Sequence, residues 1–380
     1  MKPVNLIIII SILVILAVVA YFAFKEPTKS KGVFEGKGEK LFPNFVSDTV
    51  EKIVISKGGK DVVLKKSGDV WMNETRWNYP VDKTRVDYFF KQFDDLKIND
   101  LRSTKKDNHA DFEVTSETGI TVSLFVTGEK ETAKVIFGKS PDYMRTFARR
   151  ASENDVYLVE PNLSYQLGTD YSTKELNPDY WVDMKVTDFD QKLIAKISLY
   201  SPDGDISIER AEKEKPAEPK PEGEEAKKEE GTEGEKKEET PAKEEIWNVT
   251  SPEQFEAKKN IVDSMTYAIS KLRGTAPVEK KDLAEYGLDN PTHTVSAFLK
   301  DGIEKKLLFG KKTEKNEYYV KTADSDLIYL VAEYNFNNIF KKIADLKETP
   351  PPETKPAEDE QPDESKDTSK GVENEPKQSE

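Results

Sequence analysis

Val135-Ile136-Phe137-Gly138-Lys139, followed by Tyr157-Leu158-Val159, is answered later in the chain by Leu307-Leu308-Phe309-Gly310-Lys311, followed by Tyr329-Leu330-Val331. The step from Phe to Tyr is twenty residues in both copies (157 minus 137, 329 minus 309), and Phe147 falls on Tyr319 without a gap. A unit repeated in register implies two copies of one fold. What repeats is core and turn chemistry, with no reactive group in it.

Upstream the register continues at an offset of 176 (247 minus 71), which matches Trp71 to Trp247, Val86-Asp87 to Val262-Asp263, Phe89 to Met265, Phe93 to Ile269 and Leu96 to Leu272. Apolar positions stepping by three, four and three predict an amphipathic helix with one buried face, about Asp82 to Leu96 in copy one and Lys258 to Leu272 in copy two. Thr121-Val122-Ser123-Leu124-Phe125 meets Thr294-Val295-Ser296-Ala297-Phe298 at 173 (294 minus 121), one more than the 172 of the Phe-Gly-Lys segment. The extra residue falls in the polar turns Thr127-Gly128-Glu129 and Lys300-Asp301-Gly302, as expected of antiparallel hairpins, whose strand register tolerates no slip. Each copy opens on a further hairpin turning at Gly: Val50 to Leu64 in one, Ile194 to Ile208 in the other, offset by 144 (194 minus 50).

Between Ile208 and Trp247 the offset jumps by 32 (176 minus 144), so copy two carries an insertion, residues 211–245. Its Glu, Lys, Pro, Ala, Gly and Thr lack the apolar side chains that offset ordering entropy, and a disordered loop is expected there. Residues 347–380 have the same character and read as a disordered acidic tail. The chain has 58 Lys and Arg against 72 Asp and Glu, a net charge of −14 that argues against nucleic acid as a partner. Only Arg145, Arg149 and Arg150 form a small basic cluster, expected to lie on a solvated strand face.

Val4 to Phe24 is apolar apart from Asn5 and Ser11, long enough at about 1.5 Å per residue to cross a bilayer as a helix. An uncleaved transmembrane signal anchor, residues 1–25, is expected, with the bulk of the chain outside the cytoplasm. The chain has no Cys, which removes disulfides, thiol catalysis and Cys lipidation.

Strings that suggest chemistry weaken on reading. Gly138-Lys139-Ser140 looks like the end of a phosphate-binding loop, but Ala133 stands where that motif needs Gly, and the segment lies between strands. His109 and His293 occupy non-equivalent places in the repeat, neither at metal-ligand spacing from another His. Asp203 and Asp205 flank the turn residue Gly204 and read as turn formers. The Phe-Gly-Lys strings read as strand ends, with Phe in the core, Gly supplying an unusual backbone conformation and Lys in water. Tyr157 and Tyr329 read as packing residues with their polar tips at the surface. No catalytic, cofactor-binding or metal site is assigned, and no cofactor is expected.

The anchor, Trp71, the Asp87-containing helix, Ala110-Asp111-Phe112, the Phe-Gly-Lys strand and the closing Tyr-Leu-Val together resemble the bacterial family known as domain of unknown function 4340. Leu283-Ala284-Glu285-Tyr286-Gly287-Leu288, followed by Asp289-Asn290-Pro291, carries the same resemblance in copy two. Copy one departs where Glu113-Val114 stands for Gly287-Leu288, against the idea of two equivalent sites. The resemblance implies single-pass inner-membrane proteins of the cell envelope, often encoded beside ABC-transporter components of the gliding-motility type. An ABC transporter or another envelope assembly is the partner this implies.

The expected architecture is α+β: after the anchor and a linker (26–45), repeat domain 1 (46–168), a connector (169–190) and repeat domain 2 (191–346), each an antiparallel sheet with a helix. A tethered, non-catalytic interaction module is the leading functional expectation. A structural envelope scaffold and an enzyme of unknown class are the alternatives.

Overall fold

A computed structural model describes residues 36–170, 172–214 and 243–348. The expected anchor, most of the insertion and most of the acidic tail lie outside the described residues. Within them, no helix is long and apolar enough to cross a membrane.

Copy one runs β1 (Val50–Lys57), β2 (Lys60–Ser67), β3 (Val70–Asn73), β4 (Tyr79–Pro80), α1 (Lys83–Asp94), β5 (Lys97–Ser103), β6 (Ile120–Val126), β7 (Lys130–Phe137), β8 (Thr146–Arg150) and β9 (Val156–Glu160). Copy two runs β10 (Ile194–Tyr200), β11 (Ile206–Glu214), β12 (Lys243–Ser251), β13 (Phe255–Glu256), α2 (Lys259–Ser270), β14 (Ala276–Val278), α3 (Leu283–Tyr286), β15 (His293–Leu299), β16 (Glu304–Lys312), β17 (Glu317–Thr322), β18 (Ile328–Ala332), α4 (Glu333–Ile339) and α5 (Ile343–Leu346).

The strands form two nine-stranded antiparallel sheets of matching order, β4-β3-β2-β1-β6-β7-β8-β9-β5 and β13-β12-β11-β10-β15-β16-β17-β18-β14. The fold is therefore mostly β, with one three-turn helix on each sheet. Val86, Phe89 and Phe93 of α1 are buried, as are Val262, Met265 and Ile269 of α2, the stripe that the three-four-three spacing requires. They meet alternate residues of the sheet, such as Ile53 and Ile55, Val62 and Leu64, Val135 and Phe137 in copy one.

The charged insertion begins later than its composition implies. β11 and β12 continue their ladder through Ala211↔Ile246, Glu212↔Glu245, Lys213↔Glu244 and Glu214↔Lys243. Residues 211–214 and 243–245 are thus strand, a correction to the expected loop. A hairpin ladder bonds through its backbone, so polar side chains extend it where they face water, and Arg210 pairs with Glu245 across the two strands at 2.6 Å.

The Phe-Gly-Lys strings are corrected too. Phe137 and Phe309 are fully buried as expected, but neither Gly138 nor Gly310 has a left-handed backbone. A Cβ on Gly138 would lie 2.1 Å from the Phe112 carbonyl oxygen, and one on Gly310 2.1 Å from that of Tyr286. Glycine is required because Ala110-Asp111-Phe112 and Ala284-Glu285-Tyr286 lie directly across the strand. Lys139 N–H donates to the Phe112 carbonyl at 3.1 Å, while Lys311, exposed as expected, also donates through Nζ to the Ala284 and Glu285 carbonyls at 3.0 Å each. Both carbonyls belong to the short α3, and that of Ala284 also accepts from Gly287 N–H at 3.2 Å. The departure at Glu113 is absorbed: Glu113 (φ 57) and Gly287 (φ 68) share the left-handed conformation, and the following Val114 and Leu288 are both buried.

The sheets are joined at their edges by one side chain. Tyr79 of β4, with no exposed surface, belongs to the core of copy two and packs edge-on to Tyr329 with ring centroids 5.3 Å apart. Its hydroxyl sits at the Val278↔Ile328 pair of β14 and β18. It accepts from Ile328 N–H at 2.9 Å and Val278 N–H at 3.3 Å, and its proton has the Val278 carbonyl at 2.8 Å and the Ile328 carbonyl in reach. Burial pushes its ionisation above the ordinary tyrosine value, which keeps that proton in place. The Tyr329 hydroxyl donates to the Asp183 carbonyl at 3.2 Å, so its tip is interior and not at the surface.

Removing the hydroxyl by Tyr79→Phe strands two amides and two carbonyls, and a loss of about 2–3 kcal/mol in urea unfolding is expected. Gly310→Ala should cost about 3 kcal/mol, the upper end of overpacking penalties. Gly302→Ala, at φ +85 with open space around the new methyl, should cost only about 1 kcal/mol.

Candidate functional site

Most residues that drew a functional reading are occupied in holding the fold. Gly138-Lys139-Ser140 lies between β7 and β8 and opens no helix. His109 is buried, with Nε2 2.9 Å from the Asn154 carbonyl. Arg145 binds Asp142 through Nε at 2.9 Å and Nη2 at 2.7 Å. Arg149 donates to the carbonyls of Val114, Ala151 and Glu153, and burial lowers its ionisation below the ordinary arginine value. Arg150 holds the Leu41 carbonyl at 2.8 Å and the Glu153 carboxylate at 2.9 Å. The three do not make a free basic face; each closes a loop onto the sheet. Tyr157 is nearly buried, its hydroxyl 3.3 Å from Asp155 Oδ2.

His293, Asp203 and Asp205 are brought together. They line a cavity of about 620 Å³ at one end of the copy-two sheet, between the β10–β11 turn, the start of β15 and the α4–α5 link. The size falls within the roughly 300–1,000 Å³ of ligand-binding clefts. Its floor is apolar, from Leu199, Ile206, Phe336 and Phe340. Lys341 and Lys342 line it as well.

Local sequence explains each wall. Ser201 to Gly204 closes a tight turn, with Gly204 N–H donating to the Ser201 carbonyl at 3.0 Å and Gly204 at φ 116. Asp203 and Asp205 are carried outward by this turn, and neither has an ion-pair partner among the described residues. The Ser201 hydroxyl donates to the Gly204 carbonyl at 3.0 Å, so it is a turn clamp and not a free nucleophile. His293 stands at the first residue of β15, between Phe336 and Phe340 with centroids 5.0 and 5.1 Å away. Its Nδ1 meets Thr292 Oγ1 at 3.0 Å. Burial lowers its ionisation below the ordinary imidazole value, and the Asp203 charge acts against that shift.

The arrangement offers an apolar floor, one largely neutral imidazole, two carboxylates and two ammonium groups. Such groups can hold a ligand by apolar contact, hydrogen bonding and charge. Among the described residues, no three His, Asp or Glu side chains gather where one metal ion could be held. Sequence reasoning identified His293 and the Asp pair separately. Phe336 and Phe340 carry no motif of their own, and the meeting of these groups had no signal in any local pattern.

A family model described as a domain of unknown function, DUF4340, matches residues 71–239 and 247–358. The two matches begin at Trp71 and Trp247, the same position of each copy. No curated protein and no solved structure matches the chain.

Because the unfolded chain binds a proton on His293 at higher pH than the folded one does, stability tied to this residue is present above the ordinary imidazole value near 6.5 and is lost as pH falls through it. His293→Ile, which restores the Ile120 of copy one, should make the melting temperature fall less between pH 7.5 and pH 5 than it does in the parent. Parallel melting curves would remove His293 from that role.

Proposed function

The chain belongs to the family of the domain of unknown function DUF4340, and from that premise we propose that it is a non-catalytic interaction module held at a membrane by its N-terminal segment. The observation that carries this reading is how the polar groups are used. What the two copies share is spent on the fold: the Phe-Gly-Lys strand under its crossing carbonyl and the helix stripe on the sheet. What differs between the copies is turned outward, namely the copy-two cavity and the extended β11–β12 hairpin that leads into the charged segment. A module that recognises a partner needs a rigid body with an asymmetric face, and the edge-to-edge joint at Tyr79 supports such a body.

The apolar run from Val4 to Phe24 supports a tether, with the folded units placed outside the cytoplasm. The partner proposed is an envelope complex, with an ABC-type exporter as the leading candidate.

Affinity capture of the full chain from membranes in mild detergent is expected to recover transporter subunits in stoichiometric amounts. Recovery of wall or outer-membrane components alone would replace the transporter reading with an envelope scaffold. A reporter that is active only outside the cytoplasm, fused after Glu380, is expected to be active.

A further inference from the structure

The two copies cross from the last strand back to the helix by paths of unequal length. Leu167 and Ile339, both fully buried, are equivalent at the offset of 172. Asp82 N–H donates to the Trp181 carbonyl at 2.8 Å, and Lys258 N–H donates to the Leu346 carbonyl at 2.9 Å. Since Asp82 and Lys258 differ by 176, as Trp71 and Trp247 do, Trp181 and Leu346 are equivalent. Trp181 stands fourteen residues beyond Leu167 (181 minus 167), and Leu346 seven beyond Ile339 (346 minus 339).

Copy one uses its seven additional residues to lay a small hairpin, closed by the Thr169↔Leu176 bridge, against the turn between β1 and β2. Glu175 pairs with Lys60 at 2.7 Å, burial and, less strongly, the Lys174 charge disfavour charge on Lys57, and Leu176 is buried in the core of copy one. In copy two, Lys57, Gly59, Lys60 and Asp61 become Ser201, Asp203, Gly204 and Asp205 at the offset of 144. That turn is the wall of the 620 Å³ cavity. The cavity therefore opens where copy one places its own hairpin, and the turn beside it has changed from a net positive charge to two negative ones.

We propose that the copy-two cavity receives an extended segment of a partner protein in place of this hairpin, with an aliphatic side chain seated as Leu176 is and a Lys or Arg standing where copy one has Glu175. The apolar floor takes the aliphatic group, and Asp203 and Asp205 face the basic one. His293 replaces Ile120 in the floor, and its Nε2 makes no hydrogen bond among the described residues, which leaves it for a polar group of the segment. Lys341 and Lys342, which also line the cavity, suit an acid elsewhere in the segment. The sign change also explains selectivity: the chain's own Glu175 matches Lys60 and is repelled at Asp203. The inference rests on the reading of this chain as an interaction module.

The test uses the full chain and a fluorescein-labelled peptide of residues 168–177 carrying Glu175→Lys, followed by fluorescence anisotropy. Saturable binding is expected, about fivefold to tenfold tighter than for the unaltered peptide. Asp203→Asn with Asp205→Asn should abolish that preference, and Ala344→Trp should block both peptides. Should Ala344→Trp lower the melting temperature, Asn337→Trp supplies the same obstruction from the neighbouring helix. Absence of saturable binding, equal affinity for both peptides, or indifference to the Asp substitutions would overturn the proposal. So would binding that emerges only after residues 349–380 are deleted, which would make the chain's own tail the occupant. Transporter capture that persists while neither peptide binds would overturn the cavity assignment alone and leave the module standing.

Discussion

A single buried hydroxyl sets how the two halves of this protein relate. Tyr79 leaves the edge of one sheet and enters the other at the Val278↔Ile328 pair, where its hydroxyl engages the amides and carbonyls of both residues. A buried polar group is tolerated only when its bonds are made, so the joint has one geometry and not a family of them. The connector follows: Val81 bridges Val182, Asp183 N–H donates to the Pro80 carbonyl at 2.8 Å, and Gly274 N–H donates to the Met184 carbonyl at 2.7 Å. Two sheets of the same order thus meet edge to edge, with β4 of one against β14 and β18 of the other.

That joint is heterologous, since it uses different edges of two like units, and it gives the copies different surroundings. Copy one continues into the connector and has chain to spare for the Thr169–Leu176 hairpin. Copy two ends its crossing at Leu346 after a path seven residues shorter. The cavity beside His293 follows from this difference in length, and its charge follows from three substitutions in one turn. The shared strands and helix make a scaffold, and the copies differ most at the end that holds this cavity.

The two glycines of the repeated strand show how a correct local reading can have the wrong cause. Gly after a buried Phe at a strand end suggested a backbone conformation closed to other residues, and Gly138 and Gly310 have no such conformation. They are glycine because a carbonyl from a segment some twenty-five residues earlier lies where a Cβ would be, Phe112 over Gly138 and Tyr286 over Gly310. The same crossing explains Lys311, whose ammonium holds the end of α3, and shows why Glu113 accepts a left-handed backbone where copy two has Gly287.

The helix stripes, the hairpins and the repeat were legible in the sequence because each is a local pattern: a 3.6-residue or two-residue period, or a turn residue at a set spacing. Residues 211–214 and 243–245 were misread because composition reports side chains, while a ladder is bonded through the backbone. Tertiary structure alone decided that Tyr79 would close the Val278↔Ile328 pair, that Phe112 would forbid a methyl on Gly138, and that His293, Asp203 and Phe336 would share one cavity. Each of these depends on atoms that separate elements bring together, from Phe112 and Gly138, 26 residues apart (138 minus 112), to Tyr79 and Ile328, 249 apart (328 minus 79). Period and composition carry no information about such meetings.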